Sequence, residues 1–441
     1  MKQGNEIVLS EKYDIMNAKV EVFLNRNRMI KGMTCCCLAV AIATGCGAQA
    51  DSDSVKSPYA SAVSMEGTPV IDYAVPQFLP NILVDAEGYC LGEEMAAVLK
   101  GRRLPEQFSL VDAVSGDVVY IGAVEEIAYN EELDLYTGYA DFSEVDKQGE
   151  YYLQCDIIGE SNRFSIEKQL YGRLFTETYG GFMEKCRDRS LKLDEAVALL
   201  EAYEWYSAVF PDEDENQIPD VLEEVKSWVA YKEENGVEAS EEALYAALLA
   251  KFSYIYQKFD FQYATDCLKR ASTVFGQLQP TLSRDADSFF ALTELYRATG
   301  LYTYRNQIVD YKSFFENNSS YLEEQGYLYG SMTYLVTRHK VDLILCENFM
   351  GNLMDRAEEI SKRYEDMLHP ATAKNNGSTD LLKNATMVSC ANYCMNNYQY
   401  TNICEEFLHY LMGRNRESVN FYESDEDRIG YLLLLAGLAA K

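Results

Sequence analysis

Basic side chains, histidine and tryptophan are all scarce in this chain of 441 residues. Lysine and arginine number 39 against 70 acidic residues, for a net charge of −31. So acidic a balance repels phosphate backbones and excludes nucleic acid as a partner. Three histidines leave little room for a histidine-rich metal site or for several histidine bases. Two tryptophans are few for a cleft that stacks sugar rings. What is abundant is apolar and aromatic: 48% hydrophobic and 12% aromatic, with 34 tyrosines. That content excludes a disordered acidic polymer, and the length suggests about two or three domains.

The N-terminal segment reads as an address. Arg26, Arg28 and Lys31 precede an uncharged run from Met33 to Gly47 that contains Leu38, Val40 and Ile42. Its apolar part is about a dozen residues, short of the ~20 that span a bilayer. A basic region, a short apolar region and the small residues Ala43-Thr44-Gly45 before Cys46 fit an export signal. The small-small-Cys ending resembles a bacterial lipobox, which implies Cys46 as the lipidated first residue of the mature protein. An ordinary cleaved signal is the alternative. The expected location is the outer face of a bacterial cell membrane, held by a lipid anchor. Residues 1–46 are thus the signal, and the Ala/Ser/Asp-rich residues 47–68 a flexible tether. Eight cysteines remain beyond Cys46, below disulfide-scaffold density. No CxxC or histidine partner accompanies Cys390, Cys394 or Cys404, so buried thiols are expected.

Periodicity divides the rest in two. Residues 69–168 read as strands: Phe108–Asp112 and Val118–Ile121 flank a Ser115-Gly116 turn, and Tyr136–Phe142, Tyr151–Ile158 and Arg163–Ile166 follow. About seven short strands suggest a β-sandwich. Residues 169–441 take a helical period. Ser240 is expected to cap one helix, and Pro219 to sit at the start of another. Further segments are expected near 261–276, 284–299, 302–316, 326–345, 351–368, 378–396, 399–412 and 426–440. That makes roughly eleven or twelve helices of ordinary length.

Several segments are similar to bacterial glycoside hydrolase family 9, the cellulase family in which an Ig-like domain precedes an (α/α)6 barrel. In the first domain these are the stretch Phe108–Tyr120, Tyr139-Ala-Asp-Phe-Ser-Glu-Val and Gly149-Glu-Tyr-Tyr-Leu. In the second they are Asn216-Gln-Ile-Pro-Asp-Val-Leu-Glu-Glu-Val, Ala291-Leu-Thr-Glu-Leu-Tyr-Arg-Ala-Thr-Gly and Leu408-His-Tyr-Leu-Met-Gly-Arg-Asn. The resemblance implies an all-β Ig-like sandwich followed by an all-α (α/α)6 barrel with its loops shortened. It implies a β-glucan type polysaccharide as partner, with no cofactor required.

The catalytic motifs depart from the family. Inversion takes a carboxylate base and a carboxylic acid ~6.5–9.5 Å apart, with a water between them. In place of the family's GGWHDAGD-type loop the chain has Gly180-Gly-Phe-Met-Glu-Lys-Cys-Arg-Asp188. Asp188 is the candidate base. Glu426, in Asp-Glu-Asp-Arg-Ile before the last helix, stands where the family carries its acid. The histidine-arginine substrate motif expected after Gly413-Arg-Asn and the sugar-stacking tryptophans have no counterparts. A bland reading leaves Asp188 a solvated carboxylate and Glu426 a helix-start charge.

A second acidic constellation stands apart from these. Asp212, Asp214, Asn216, Asp220 and Glu223 occupy an EF-hand-like spacing, with Gln217 replacing the usual glycine, and are candidate calcium ligands. The tyrosines at helical spacing read first as packing residues. The expectation is a surface lipoprotein of the family 9 lineage that binds β-glucan, with catalysis lost or much reduced. The alternatives are an active inverting endoglucanase on β-1,4-glucans and a non-catalytic protein-interaction module.

Overall fold

The computed structural model describes residues 80–278, 285–316, 319–368, 378–395, 399–424 and 428–441. Cys46, the tether and Glu426 lie outside them.

The first part is built of β1 (Ile82–Leu83), β2 (Tyr89–Cys90), β3 (Ala96–Gly101), β4 (Gln107–Asp112), β5 (Val118–Asn130), β6 (Leu135–Asp141), β7 (Gly149–Cys155), β8 (Gly159–Glu160) and β9 (Phe164–Glu167). Their order is β1-β3-β6-β5-β4-β7-β9-β2, with β8 on β7. The expected hairpin is there. β4 pairs antiparallel with β5, Gly116 takes φ 77°, and Asp112 Oδ1 accepts the amides of Val114 and Ser115 at 2.9 Å each. β5 is long because it serves both layers. It pairs with β4 before a register shift between Glu125 and Ala128 and with β6 on both sides of it. Glu126 turns the corner at φ 49°, as a bulge does when a strand changes sheet. The sandwich core centres on Tyr89, whose ring meets Phe142 and Phe164 edge-on at 5.0 and 5.2 Å.

The second part is helical: α1 (Leu170–Asp188), α2 (Leu193–Tyr206), α3 (Asp220–Asn235), α4 (Glu242–Tyr256), α5 (Phe261–Leu278), α6 (Ala286–Thr299), α7 (Tyr302–Asp310), α8 (Gln325–Val336), α9 (Leu343–Leu368), α10 (Ser378–Cys394), α11 (Thr401–Leu411) and α12 (Ile429–Ala439). Even-numbered helices form the inner ring. α4 is buried from Tyr245 through Ser253 without a polar stripe, and α12 from Tyr431 through Ala436. A helix apolar on all sides must be surrounded. α2 packs on α4, α4 on α6, α6 on α8, α10 on α12 and α12 on α2. Cys394 of α10 reaches Met332 of α8 at 3.7 Å between sulfurs and closes the ring. The amphipathic odd-numbered helices lie outside. α5, for example, buries only Ala264, Cys267, Ala271 and Phe275. This is the (α/α)6 barrel.

Three details of the sequence reading change. Ser240 does not cap α4, because Glu241 N closes a turn on Glu238 O (2.9 Å) and the helix starts at Glu242. The helix expected at 302–316 ends at Asp310, with a separate short turn of helix at Lys312–Phe315. The helices expected at 326–345 and 351–368 instead divide between Val336 and Leu343. Thr337 turns extended there, and Asp342 caps the new start by accepting Leu345 N at 3.0 Å. All eight described cysteines are free, and all but Cys90 are buried. No helix among the described residues is long and apolar enough to cross a membrane.

Candidate functional site

Inner helices run parallel, so their N-termini gather at one end, the mouth of the barrel. Peptide dipoles point their positive ends there and favour acidic residues in the first turns. Asp194 stands in the first turn of α2 and Asp287 in that of α6. Burial raises the Asp287 carboxyl above its ordinary value, and repulsion from Asp285, Glu324 and Asp194 adds to it. A cavity of about 390 Å³ opens between the starts of α2, α8, α10 and α12. Asp194, Glu323, Gln325, Tyr329, Ser378, Thr379, Lys383 and Thr386 supply its polar lining, and Leu322, Leu328, Leu382 and Ile429 its apolar walls. On its α8 side the amide of the exposed Gln325 donates to the buried Tyr329 hydroxyl at 2.8 Å. A second basin of about 630 Å³ lies between the starts of α4, α6 and α8, and Gln325 borders it too.

Asp188 is not in this cavity's lining. It ends the outer helix α1, fully exposed, and Arg189 after it takes the left-handed conformation, φ 68°. Its Oδ1 accepts the Ser190 hydroxyl at 2.6 Å and the Ser190 amide at 2.9 Å, which hold the carboxyl below its ordinary range. Glu426 lies outside the described residues; Ile429 and Gly430, which follow it, line the cavity. Neither tryptophan reaches the mouth lining. Trp205 stacks on Tyr393 at 5.0 Å inside the barrel, and Trp228 is buried with its Nε1 donating to Leu191 O at 3.2 Å.

The acidic constellation lies at the other end, in the loop from α2 to α3. Ligand oxygens of Asp212, Asp214 and Asp220 converge within 4.8 Å of one another, a donor set that suits a hard cation. Asn216 bridges Asp214 and Glu223 through Nδ2, at 2.9 and 3.1 Å. Gln217, at the position where glycine is usual, does adopt a positive φ of 76°.

Comparison with known proteins places the architecture. A model of the cellulase N-terminal Ig-like domain matches residues 77–160, and one of glycosyl hydrolase family 9 matches residues 201–422. The chain belongs to glycoside hydrolase family 9. A metagenome-derived family 9 endoglucanase superposes with a TM-score of 0.64 at 17% identity, over 77% of this chain and 84% of the other. A family 9 protein of Bacteroides ovatus gives 0.61 at 15%, over 82% and 98%. AaCel9A, solved in complex with cellobiose-like isofagomine, gives 0.60 at 14%, over 77% and 84%. No curated protein matches the chain.

Two polar networks of this family 9 chain escape a reading by motif. Inside the barrel, Lys251 Nζ lies 2.8 Å from Glu201, 2.6 Å from Glu204 and 3.4 Å from Glu294. Arg297 reaches Glu204 at 2.6 Å and Glu294 at 2.5 Å, and Thr333 donates to Glu294 at 2.7 Å. Burial pulls Lys251 down, but the three glutamates outweigh it and raise the ammonium above its ordinary value. Burial pushes Glu201 up to about 7 against the pull of Lys251. The signal in the sequence was a lysine interrupting an apolar helix.

The other network fastens the sandwich to the barrel. His409 Nδ1 pairs with Asp85 at 2.8 Å, and its Nε2 faces Glu93 at 3.5 Å. Glu93 also accepts Cys90 N at 2.6 Å and the hydroxyl of Tyr171 on α1. Arg414 donates to Ala96 O at 3.1 Å and pairs with Glu406, and Ala86 N donates to Met412 O at 2.7 Å. Burial pushes Glu93 up to about 8 and draws His409 down to about 3. The segment Leu408–Asn415, which resembles a family motif, therefore holds this seam, with His409, Arg414 and Asn415 all buried.

Proposed function

We propose that this protein is an exported lipoprotein, anchored through Cys46, that binds β-glucan at the barrel mouth with hydrolysis lost or much reduced. One observation carries the reading: the mouth retains a cavity with hydroxyl, amide and carboxylate groups, while Asp188 faces solvent and caps its own turn. Such groups exchange hydrogen bonds with sugar hydroxyls without cleaving anything. General acid and base each contribute ~10²–10⁴ to rate, so a mouth that has lost either retains binding far better than turnover. AaCel9A, of the same fold, binds a cellobiose-like isofagomine, which supports a β-glucan ligand here. Affinity electrophoresis tests the reading. Migration retarded in gels containing soluble β-glucans supports it; unchanged migration across the panel favours a protein-interaction module instead.

A second reading keeps catalysis, with Glu426 as acid and a carboxylate on the α1–α2 side as base. What favours it is that Ile429 and Gly430, three and four residues after Glu426, line the cavity, and Asp194 lines it from α2. In that case Glu426→Gln abolishes activity. We further propose that the acidic loop holds calcium through Asp212, Asp214 and Asp220, with Asn216 and Glu223 behind them. Lying at the end away from the mouth, that ion steadies the start of α3 and takes no part in chemistry.

A further inference from the structure

We infer that the mouth cavity receives the end of a β-glucan chain or a short oligosaccharide, about one or two sugar rings, and not the middle of a polymer. The inference rests on the glycan-binding reading and deepens it. A cavity of about 390 Å³ is at the small end of the ~300–1,000 Å³ typical of ligand sites. A polymer lying across the mouth needs a continuous groove, and here two basins meet at a ridge formed by the start of α8.

That ridge is fixed. Gly326 sits so close to α6 that an added Cβ would come within 2.6 Å of the Ala286 carbonyl carbon and oxygen. Gly330, one turn on, is equally close to the Phe289 ring, at 2.7 Å. Helix α8 therefore seats flush against α6, and Gln325 at its tip borders both basins. The α8 side also suits an end. Its one aromatic among the described residues, Tyr329, is buried at 2% exposure and accepts from Gln325, leaving its own O–H to donate and the Gln325 carbonyl oxygen to accept. A donor and an acceptor side by side answer a terminal hydroxyl. Among the described residues Tyr329 is the only ring of the lining, so they offer no stacking platform of the kind that recognises successive rings of a chain.

The test is calorimetric titration of the full-length chain with cellobiose, cellotriose, cellotetraose and cellohexaose. The inference expects affinity to level off at two rings, the longer chains agreeing with cellobiose within about twofold. Tyr329→Phe and Gln325→Ala, the second at an exposed position, should each weaken binding about fivefold to tenfold, one hydrogen bond's worth. Affinity that climbs through four or more rings overturns the inference and leaves the glycan-binding reading intact. Binding untouched by both variants overturns it as well, because the ligand then sits elsewhere. No heat with any oligosaccharide defeats the glycan-binding reading itself, and the inference with it.

Discussion

Glu93 at the seam gives the structure its clearest pH dependence. Its side chain is 4% exposed, beside a neutral His409, with Asp85 on the other side of that ring. Burial pushes its carboxyl up to about 8 from an ordinary value of 4.5. The folded state therefore holds a proton that the unfolded chain releases between these values, and stability falls as pH rises from about 4.5 to about 8. At 1.36 kcal/mol per pH unit the full span amounts to about 5 kcal/mol, an upper bound, since a relaxed seam admits water. Glu93→Gln removes the titration and keeps one carbonyl oxygen to accept from Cys90 N, while its NH2 faces the Tyr171 oxygen as a donor. Urea unfolding of both proteins at pH 5, 7 and 9 isolates the effect, because other groups cancel in the difference. His409, drawn down to about 3, works in the opposite direction, losing stability as pH falls through its unfolded value near 6.5. The variant should match the wild type near pH 5 and exceed it by several kcal/mol at pH 9. Parallel curves across that range would refute the reasoning.

Other perturbations follow from the packing. Lys251→Met leaves Glu201, Glu204 and Glu294 facing Arg297 alone and should cost ~3–5 kcal/mol in urea unfolding, as removal of one partner from a buried ion network does. Gly326→Ala drives a methyl into the α6 backbone and should cost ~1–3 kcal/mol, read as a lowered Tm. Millimolar calcium should raise the Tm of the wild type and leave Asp212→Asn with Asp214→Asn unmoved; an equal rise in both would rule out the loop as the site.

Much of the fold was legible in the sequence. The Ser115-Gly116 hairpin, the change of period after Lys168 and the ordered motifs pointed to a sandwich and a barrel because each depends on neighbours in the chain. Boundaries failed where the deciding bond was invisible: the helical period suggested segments at 326–345 and 351–368, yet the chain divides at Asp342, whose carboxylate caps α9. The cavity was illegible for a related reason. Asp194, Gln325, Ser378 and Ile429 open four helices far apart in sequence, and no spacing links them. The motif residues His409 and Arg414 were visible, but their work at the seam depends on Asp85, Glu93 and Ala96, some three hundred residues away.

The central claim, a family 9 barrel that holds β-glucan without turning it over, is tested most directly by following product. Cello-oligosaccharides incubated with the purified chain and separated by chromatography should come back intact, although calorimetry detects their binding. Steady release of shorter sugars, abolished by Glu426→Gln, would contradict the account and restore the chain to the ranks of active hydrolases.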